Sequence, residues 1–253
     1  MTSPAVLQRN RSNAIYVDLL KKILSGHYGA GERLPAEREL ALKYDTNRNT
    51  LREALRRLEQ AKLVTVRHGQ GATVTDFREH GTIELIGDFI RHTPQHEERI
   101  SAFVDLLMAR RQLIEMAVRM AAVRAGTADL EAIDNLVAQQ IDAFEREDRA
   151  VLSTGDVTLI TALVNASHSL TVRWIANTLL KVYEVFLEPA KALWILEPTF
   201  PNYLRTLRQA IADGNATEAA NVTGRYYQRV DTALIRMLQS SSTQESPLAG
   251  GSE

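Results

Sequence analysis

Residues 33–75 hold four short patterns in an order that constrains the fold more than any other part of the chain. Pro35 stands at an expected first helical position, the segment DTNRN has the composition of a turn, and a second helix with leucines at i, i+4 and i+7 begins at Thr50. The segment LVTVRHGQGATVTDF then alternates apolar and polar residues around a glycine-containing loop, as a β-hairpin does. Helix, turn, helix and hairpin in this order predict a helix-turn-helix with a wing.

An earlier helix completes the first domain. Apolar residues at near-helical spacing predict this helix over 12–25, with Ser12 as its N-cap. We therefore expect a winged helix-turn-helix domain over residues 1–77. Residues 78–97 are polar and mixed, and they predict a linker with one short amphipathic helix over 82–91.

The remainder of the chain has a helical pattern. Apolar stripes predict helices near 98–125, 128–147, 149–166, 170–188, 197–213 and 216–239. Because no such helix can bury its stripe alone, we expect residues 98–239 to form an antiparallel bundle of six or seven helices. The Ser- and Gly-rich residues 240–253 predict a disordered tail. The expected fold class is mainly α, with an N-terminal winged helix-turn-helix (α with a small β-hairpin) and a C-terminal helical bundle.

Charge is divided unevenly along the chain. Residues 1–78 contain 14 Lys and Arg against 8 Asp and Glu, a net charge of +6, whereas the rest carries −7 and the whole chain −1. This asymmetry favours a nucleic acid or another anionic surface as the partner of the basic part. Chance variation between small domains is the alternative explanation.

Composition excludes several classes of protein. Hydrophobic residues make up 45 % and charged residues 24 %, which is the balance of a globular domain rather than of a disordered chain or a fibre. The chain has 0 Cys, so it contains no disulfide framework, zinc–thiolate site or cysteine nucleophile. No apolar run approaches the roughly 18 residues of a membrane span, and the first residues lack a signal-peptide pattern. We expect a cytoplasmic protein with no membrane partner and no cofactor.

The blocks within 33–75 carry a family resemblance. LPAERELA, then TNRNTLREAL, then GQGATV closely resemble, in order and spacing, the DNA-binding signature of the GntR family of bacterial transcription regulators. Members of this family bind DNA through a winged helix-turn-helix. The resemblance therefore implies that the basic part of the chain binds double-stranded DNA.

The helix that begins near Thr50 is expected to present its amino end to base edges in the major groove. Arg48 and Arg52 share one helical face, and a bidentate arginine–guanine pair is worth ~1–3 kcal/mol of discrimination. Asn49 could pair with adenine, and Thr50 could meet a phosphate or a thymine methyl group. The resemblance adds a base contact from the preceding helix and two contacts at the wing tip in the minor groove, which gives the set Arg38, Arg48, Asn49, Thr50, Arg52, His68 and Gly69. A solvated helix face or a plain loop is the alternative for each.

The helical part resembles the FadR subfamily, whose effector domain is an antiparallel helical bundle. The segment GDVTLITALVNASHSLTV resembles a block in which many members bind a divalent metal through one aspartate, with three histidines from this and other helices. Asp156 stands on the aspartate, but Ile160, Leu204 and Tyr226 occupy the histidine positions, and no His follows His168. Because a lone carboxylate holds a transition metal poorly, we predict no metal. Asp156 is then expected to make a buried hydrogen bond or a salt bridge to an arginine.

Loss of the metal histidines is also a trait of the acyl-CoA-responsive regulator for which the subfamily is named. By resemblance, Arg110 aligns with an arginine of the ligand pocket, Tyr226 keeps a pocket tyrosine, and Tyr227 replaces a pocket glycine. The effector-binding candidates are therefore Arg110, Asp156, Tyr226 and Tyr227. The effector could be a fatty acyl-CoA, which would link the protein to fatty acid metabolism, or a smaller carboxylate. A plain salt bridge within the bundle is the alternative for Arg110.

These patterns together predict a homodimeric transcription regulator, either a repressor or an activator, rather than an enzyme. Two reading heads on a two-fold axis match a palindromic operator. The bundle shows no Ser-His-Asp set, no metal cluster and no phosphate-binding glycine loop in its sequence. The alternative is a DNA-binding regulator or architectural protein with no effector, in which the bundle serves only dimerisation.

Overall fold

The computed structural model describes residues 4–67, 69, 71–190 and 195–244, and it is mainly helical, as the sequence predicts. Helices make up 76 % of it, together with one small two-stranded antiparallel sheet. The chain divides into two compact units, Met1–Arg99 and Ile100–Glu253. The first unit holds the helix-turn-helix and the sheet, and the second holds the helical bundle.

The helix-turn-helix is built on three helices. They are α1 (Pro4–Leu24), α2 (Glu37–Lys43) and α3 (Arg48–Gln60). α1 begins earlier than predicted because the residues between Pro4 and Ser12 include no helix breaker, and proline suits a first helical turn. Ser12 is fully buried within α1 and does not cap it, which corrects the prediction for that residue.

A leucine-rich core holds the three helices together. Leu19 and Leu20 of α1, Leu40 of α2, and Leu51 and Leu58 of α3 belong to one buried cluster, and each is at most 1 % exposed. Burying one such side chain contributes roughly 1.5–3 kcal/mol. Because the leucines of α3 are buried in this core, the charged residues of α3 lie on the opposite face, at the surface.

The predicted hairpin forms the wing. β1 (Val64–Arg67) pairs antiparallel with β2 (Gly71–Val74), with the first residue of each strand opposite the last residue of the other. The chain before α2 extends this sheet through an antiparallel bridge between Arg33 and Thr73. The wing is therefore fastened at its base to the segment that leads into the helix-turn-helix.

The segment expected to be a linker is ordered and packs within the first unit. It contains α4 (Phe77–His80), a 3-10 turn over Ile83–Leu85, and α5 (Ile86–His92). The hydroxyl of Tyr16 in α1 donates a hydrogen bond to Asp88 in α5 at 2.5 Å. The first unit thus extends past the predicted domain boundary, because apolar residues of this polar segment, Leu85 and Phe89, pack in the hydrophobic core of that unit.

Six helices in the described part of the chain form the bundle, and each limit lies within five residues of its prediction. They are α6 (His96–Arg124), α7 (Thr127–Glu145), α8 (Arg149–Ala166), α9 (Leu170–Ala190), α10 (Phe200–Ala212) and α11 (Ala216–Gln244). α7 packs on α8, and α10 packs on α11. The connections 146–148 and 213–215 are so short that each pair must run antiparallel. None of the helices in the described ranges combines the length and apolar character that crossing a bilayer requires.

The last helix continues into the predicted tail. α11 reaches Gln244, because the first strong helix breaker after its apolar stripe is Pro247. The rest of the predicted tail, 245–253, lies outside the described residues.

Candidate functional site

The amino end of α3 is fixed by a side-chain cap. Asn47 Oδ1 accepts hydrogen bonds from the Thr50 backbone N–H at 2.9 Å and from the Thr50 hydroxyl at 3.1 Å. Thr50 is only 1 % exposed, so its side chain is not available for the phosphate or thymine contact expected of it. This is a correction to the prediction: Thr50 holds the start of the helix.

Four exposed side chains surround this cap: Arg38 of α2, and Arg48, Asn49 and Arg52 of α3. We call them the reading face. Arg38 and Arg48 line one shallow depression of about 290 Å³. Within the described ranges, no hydrogen bond or ion pair engages Arg38, Arg48 or Asn49, whereas Arg52 Nε donates to Glu37 Oε2 at 2.9 Å. Three polar side chains are thus free to meet a ligand at the amino end of α3.

The wing tip is described only in part. Gly69 is exposed and has a φ of +75°, a conformation that suits glycine, and a Cβ built there would meet nothing within 4 Å. The backbone at Gly69 is therefore open to close approach by a partner. His68 lies outside the described residues, and its predicted role stays a prediction.

A cluster of charged and phenolic side chains is buried inside the bundle. We call Arg110, Asp156, Tyr183, Tyr227 and Asp231 the polar cluster, and none of them is more than 5 % exposed. Arg110 is 0 % exposed, and its guanidinium donates to Asp231 Oδ1 at 2.6 Å and to the Tyr183 hydroxyl. Arg110 therefore makes a buried salt bridge that joins α6 to α11, with a further contact to α9.

Asp156 makes the buried hydrogen bond expected of it. The Tyr227 hydroxyl donates to Asp156 Oδ1 at 3.0 Å, and the Tyr183 hydroxyl lies 3.5 Å from Oδ2. Tyr183 also contacts Arg110, so it links the carboxylate of α8 to the guanidinium of α6. The candidates Arg110, Asp156 and Tyr227 are thus brought together by the fold.

Two carboxylates share one fully buried guanidinium. Burial raises the pKa of Asp156 and of Asp231 because it penalises their charged forms, and the adjacent Arg110 opposes that shift in both cases. Arg111 adds a second positive charge at the edge, 3.5 Å from Asp231. When both carboxylates are ionised, their charges are balanced by Arg110 together with Arg111.

Aromatic rings fill the space beside the polar cluster. Tyr203 and Tyr226 stack with ring centroids 4.1 Å apart, and Tyr226 meets Tyr227 edge to face at 5.2 Å. Phe200 lies 5.5 Å from Tyr226, and all four residues are at most 4 % exposed. Tyr226 therefore belongs to an aromatic stack, while its neighbour Tyr227 belongs to the polar cluster.

Five buried polar atoms in the bundle have no hydrogen-bond partner within the described residues: Arg110 Nε, Gln140 Oε1, Ser153 Oγ, Arg173 Nε and Tyr203 Oη. Ser153 precedes Asp156 by about one helical turn and shares its face of α8. The Gln140 amide packs against Gly155, where a Cβ would lie only 1.7 Å from Gln140 Nε2. Because buried polar groups nearly always find partners, such atoms indicate a place for water or for a small polar ligand.

Two family models cover most of the chain. Residues 11–74 match the bacterial regulatory proteins of the gntR family, and residues 105–229 match the FCD domain. The chain belongs to the GntR family. It combines a GntR helix-turn-helix that binds DNA with an FCD effector-binding domain, and it is a transcription regulator.

Similar proteins are also named as regulators. The HTH-type transcriptional regulator Mce2R of Mycobacterium tuberculosis (strain CDC 1551 / Oshkosh) is 27 % identical over 97 % of this chain and 100 % of its own length. The galactonate operon transcriptional repressor of Escherichia coli (strain K12) is 28 % identical over 63 % of this chain and 68 % of its own. A solved structure described as Lar, which controls the expression of the Listeria monocytogenes agr system, is 18 % identical with a TM-score of 0.56, and covers 89 % of this chain and 96 % of that one. The last comparison supports the fold alone.

The FCD domain of this GntR protein does not fit the divalent metal that the subfamily resemblance implies. Both oxygens of Asp156 face tyrosine hydroxyls, and Ile160 and Leu204 are fully buried apolar residues. Across the described ranges, no group of three or more His, Asp or Glu side chains is placed to hold a metal ion. The chemistry of the donors therefore disfavours a metal here, and the metal-free site stays a prediction.

Sequence reasoning does not single out two members of the polar cluster, Tyr183 and Asp231. A signal for Asp231 is present in the sequence, since it lies four residues after Tyr227 and three before Leu234, on the apolar stripe of α11. A carboxylate on such a stripe indicates a buried cationic partner. Tyr183 carries no comparable signal, because a tyrosine among apolar residues is ordinary core.

Proposed function

We propose that this GntR regulator binds a palindromic operator as a homodimer, with the reading face of each subunit in the major groove. The observation that carries this proposal is the set of Arg38, Arg48 and Asn49, exposed at the amino end of α3 and free of protein partners within the described ranges. Two such heads on a two-fold axis would double the length of sequence read. Since its operator would be chromosomal, we place the protein in the cytoplasm and assign it no catalytic role.

The reading face supplies the donors that base edges require. A guanidinium such as that of Arg48 can pair bidentately with guanine O6 and N7, and the Asn49 amide can pair with adenine N6 and N7. Arg52 is held by Glu37, so it would have to exchange that carboxylate for a phosphate or a base. Gly69 and His68 would approach the minor groove from the wing.

Substitution of Arg48 tests this role. Arg48→Ala is expected to weaken binding to a selected operator by about 10- to 100-fold for each half-site, which corresponds to the loss of one bidentate pair there, and to change binding to random DNA far less. The measurement is a titration of both DNAs at one fixed salt concentration. Arg56→Ala, an exposed arginine later in the same helix, is the matched control and should spare specificity. Equal loss on both DNAs with Arg48→Ala would contradict a base-reading role.

We further propose that the polar cluster, with Tyr226 beside it, is the effector site. The unpaired Arg110 Nε and Ser153 Oγ support a polar ligand, and Arg110 is the one fully buried cation in the described part of the bundle. The galactonate operon repressor, a relative, is named for an operon of a small hydroxy acid. These observations favour a small carboxylate that shares Arg110 with Asp231.

A fatty acyl-CoA is the other candidate effector. The face-to-face stack of Tyr203 on Tyr226 and the edge contact with Tyr227 disfavour it, because these rings fill the volume that a long acyl chain would need. Packed interiors do not yield such volume without moving several side chains. A link to fatty acid metabolism is therefore the weaker proposal.

A release assay separates the candidates. The operator complex is titrated with galactonate, other small hydroxy acids, free fatty acid and long-chain acyl-CoA, and a small acid is expected to change DNA affinity. Arg110→Lys keeps the charge but loses the planar fork, so it should weaken that response at least tenfold, whereas Arg119→Lys on the exposed face of α6 should not. Release by acyl-CoA alone would overturn the small-acid proposal. No response to any compound would favour a regulator whose bundle only dimerises.

A further inference from the structure

Leu42 is an unusually exposed apolar residue on the surface of the first unit. It is 75 % exposed, more than any other large apolar side chain in the described ranges. It lies on α2, four residues after Arg38, so the two side chains share one face of that helix. Leu42 is not a member of the buried hydrophobic cluster of the first unit and does not pack against it. A single exposed leucine is common, so its surroundings must decide what it does.

Leu42 borders the reading face. Together with Arg38 and Arg48 it lines the shallow depression between α2 and the start of α3. The other lining residues are Ala41, Asp45, Thr46 and Asn47, so the apolar surface is limited to Leu42 and the half-buried Ala41 and is not the contiguous patch that a protein partner needs. Two unpaired guanidinium groups beside one apolar group match the major groove, where the thymine methyl is the apolar feature among acceptors and donors.

We propose that Leu42 packs against the methyl group of a thymine in each operator half-site and so contributes to sequence selection. The thymine would lie next to a base pair contacted by Arg38 or Arg48. This inference rests on the proposed DNA-reading role of the reading face. Burying one methyl group is equivalent to about a fourfold change in affinity, which sets the size of the effect for each half-site.

A double-mutant cycle tests the contact by removing the methyl group from the DNA and the side chain from the protein. Each thymine of the selected operator is replaced in turn by deoxyuridine, which keeps the base pair and lacks only the methyl group. Wild-type protein is expected to lose about fourfold in affinity at one thymine per half-site. Leu42→Ala removes the contact from both half-sites, so it is expected to bind the parent operator about 16-fold more weakly and to show no response to that replacement. Leu42→Met should keep the wild-type sensitivity.

Lys43→Ala is the matched control, because Lys43 is the exposed neighbour of Leu42 on α2. It should weaken binding to all sequences alike and keep the response to deoxyuridine. Leu42→Ala removes only exposed surface, so its thermal unfolding should match wild type. An undiminished response of Leu42→Ala at every thymine would overturn the inference. Different results would contradict the proposed DNA-reading function itself. In that case no operator would be selected, or Arg48→Ala would lose affinity equally on operator and random DNA.

Discussion

At the scale of single residues, the two carboxylates of the polar cluster stand in different relations to Arg110. Asp231 is bonded directly to the guanidinium at 2.6 Å. Asp156 reaches it only through the Tyr183 hydroxyl and is otherwise bonded to Tyr227. Removing one partner of a buried ion pair leaves an uncompensated charge, whereas removing a surplus carboxylate does not. Loss of charge should therefore destabilise the protein much more at Asp231 than at Asp156.

We expect Asp231→Asn to lower the free energy of unfolding by about 3–5 kcal/mol, because Arg110 then lacks its direct counter-ion. Asp156→Asn should change it by less than about 1 kcal/mol, since the amide oxygen can still accept from Tyr227 and Arg110 keeps Asp231. Denaturant unfolding of both variants at neutral pH measures the difference. Equal losses would show that Asp156 is as much a counter-ion of Arg110 as Asp231 is.

The raised pKa of Asp156 gives a second prediction at this scale. Between the ordinary aspartate pKa of 3.8 and the higher value in the folded state, the folded protein binds more protons at this site than the unfolded chain. The contribution of Asp156 to stability is therefore full below the ordinary pKa and is lost as pH rises through the folded one. As pH rises through this window, the free energy of unfolding of Asp156→Asn should therefore increase relative to that of wild type. A pH-independent difference in a series of urea titrations would argue against a raised pKa.

Individual residues were predictable from the sequence where a local motif fixes their place. Arg38, Arg48 and Asn49 are exposed as expected, because the leucines of the adjoining turns define the buried face. The burial of Thr50 was not predicted, since it depends on which of two polar neighbours, Asn47 or Thr50, supplies the cap. The place of Asp231 on an apolar stripe indicates a buried cationic partner but does not identify it, because Arg110 lies 121 residues away in the chain.

At the scale of elements, side-chain contacts link α5 to α1, and α1 in turn to α3. The Arg57 guanidinium of α3 lies 4.1 Å from the ring centroid of Tyr16 in α1, and the Tyr16 hydroxyl donates to Asp88 in α5 at 2.5 Å. Arg57 also donates to Asn13 at 3.0 Å. The composition of this segment predicts a linker because most of its residues are polar, and composition does not reveal that its few apolar residues and one carboxylate meet α1.

We expect Tyr16→Phe to loosen α5 selectively. Loss of a hydrogen bond to a partly buried carboxylate should cost about 1–2 kcal/mol, which would appear as faster amide hydrogen exchange in 86–92 with little change in α3. Tyr28→Phe is the control, because Tyr28 is buried in the same core and its hydroxyl makes no hydrogen bond within the described residues. If both variants exchange alike in α5, the Tyr16–Asp88 bond does not hold this helix.

At the scale of the whole molecule, the sequence predicted the order and limits of the helices far better than their mutual contacts. Periodicity and helix breakers such as Gly126 and Gly214 act locally, and they place the helix ends within a few residues. The polar cluster joins four helices through contacts that no local pattern encodes. The uneven division of charge, by contrast, can be read from the whole sequence. The basic residues 1–78 include the reading face, while the acidic remainder disfavours contact with the phosphate backbone.

Operator spacing is the property that the whole molecule should determine. A homodimer that reads two half-sites on one face of the duplex requires their centres to be about one helical turn, or a multiple of it, apart. Inserting about 5 base pairs at the operator centre turns one half-site to the opposite face, so affinity should fall to that of an isolated half-site, and inserting about 10 should restore part of it. Sedimentation of the complex on the parent operator should give two chains per duplex. If the 5-base-pair insertion leaves affinity unchanged, each head binds independently, and the bundle does not set the distance between them.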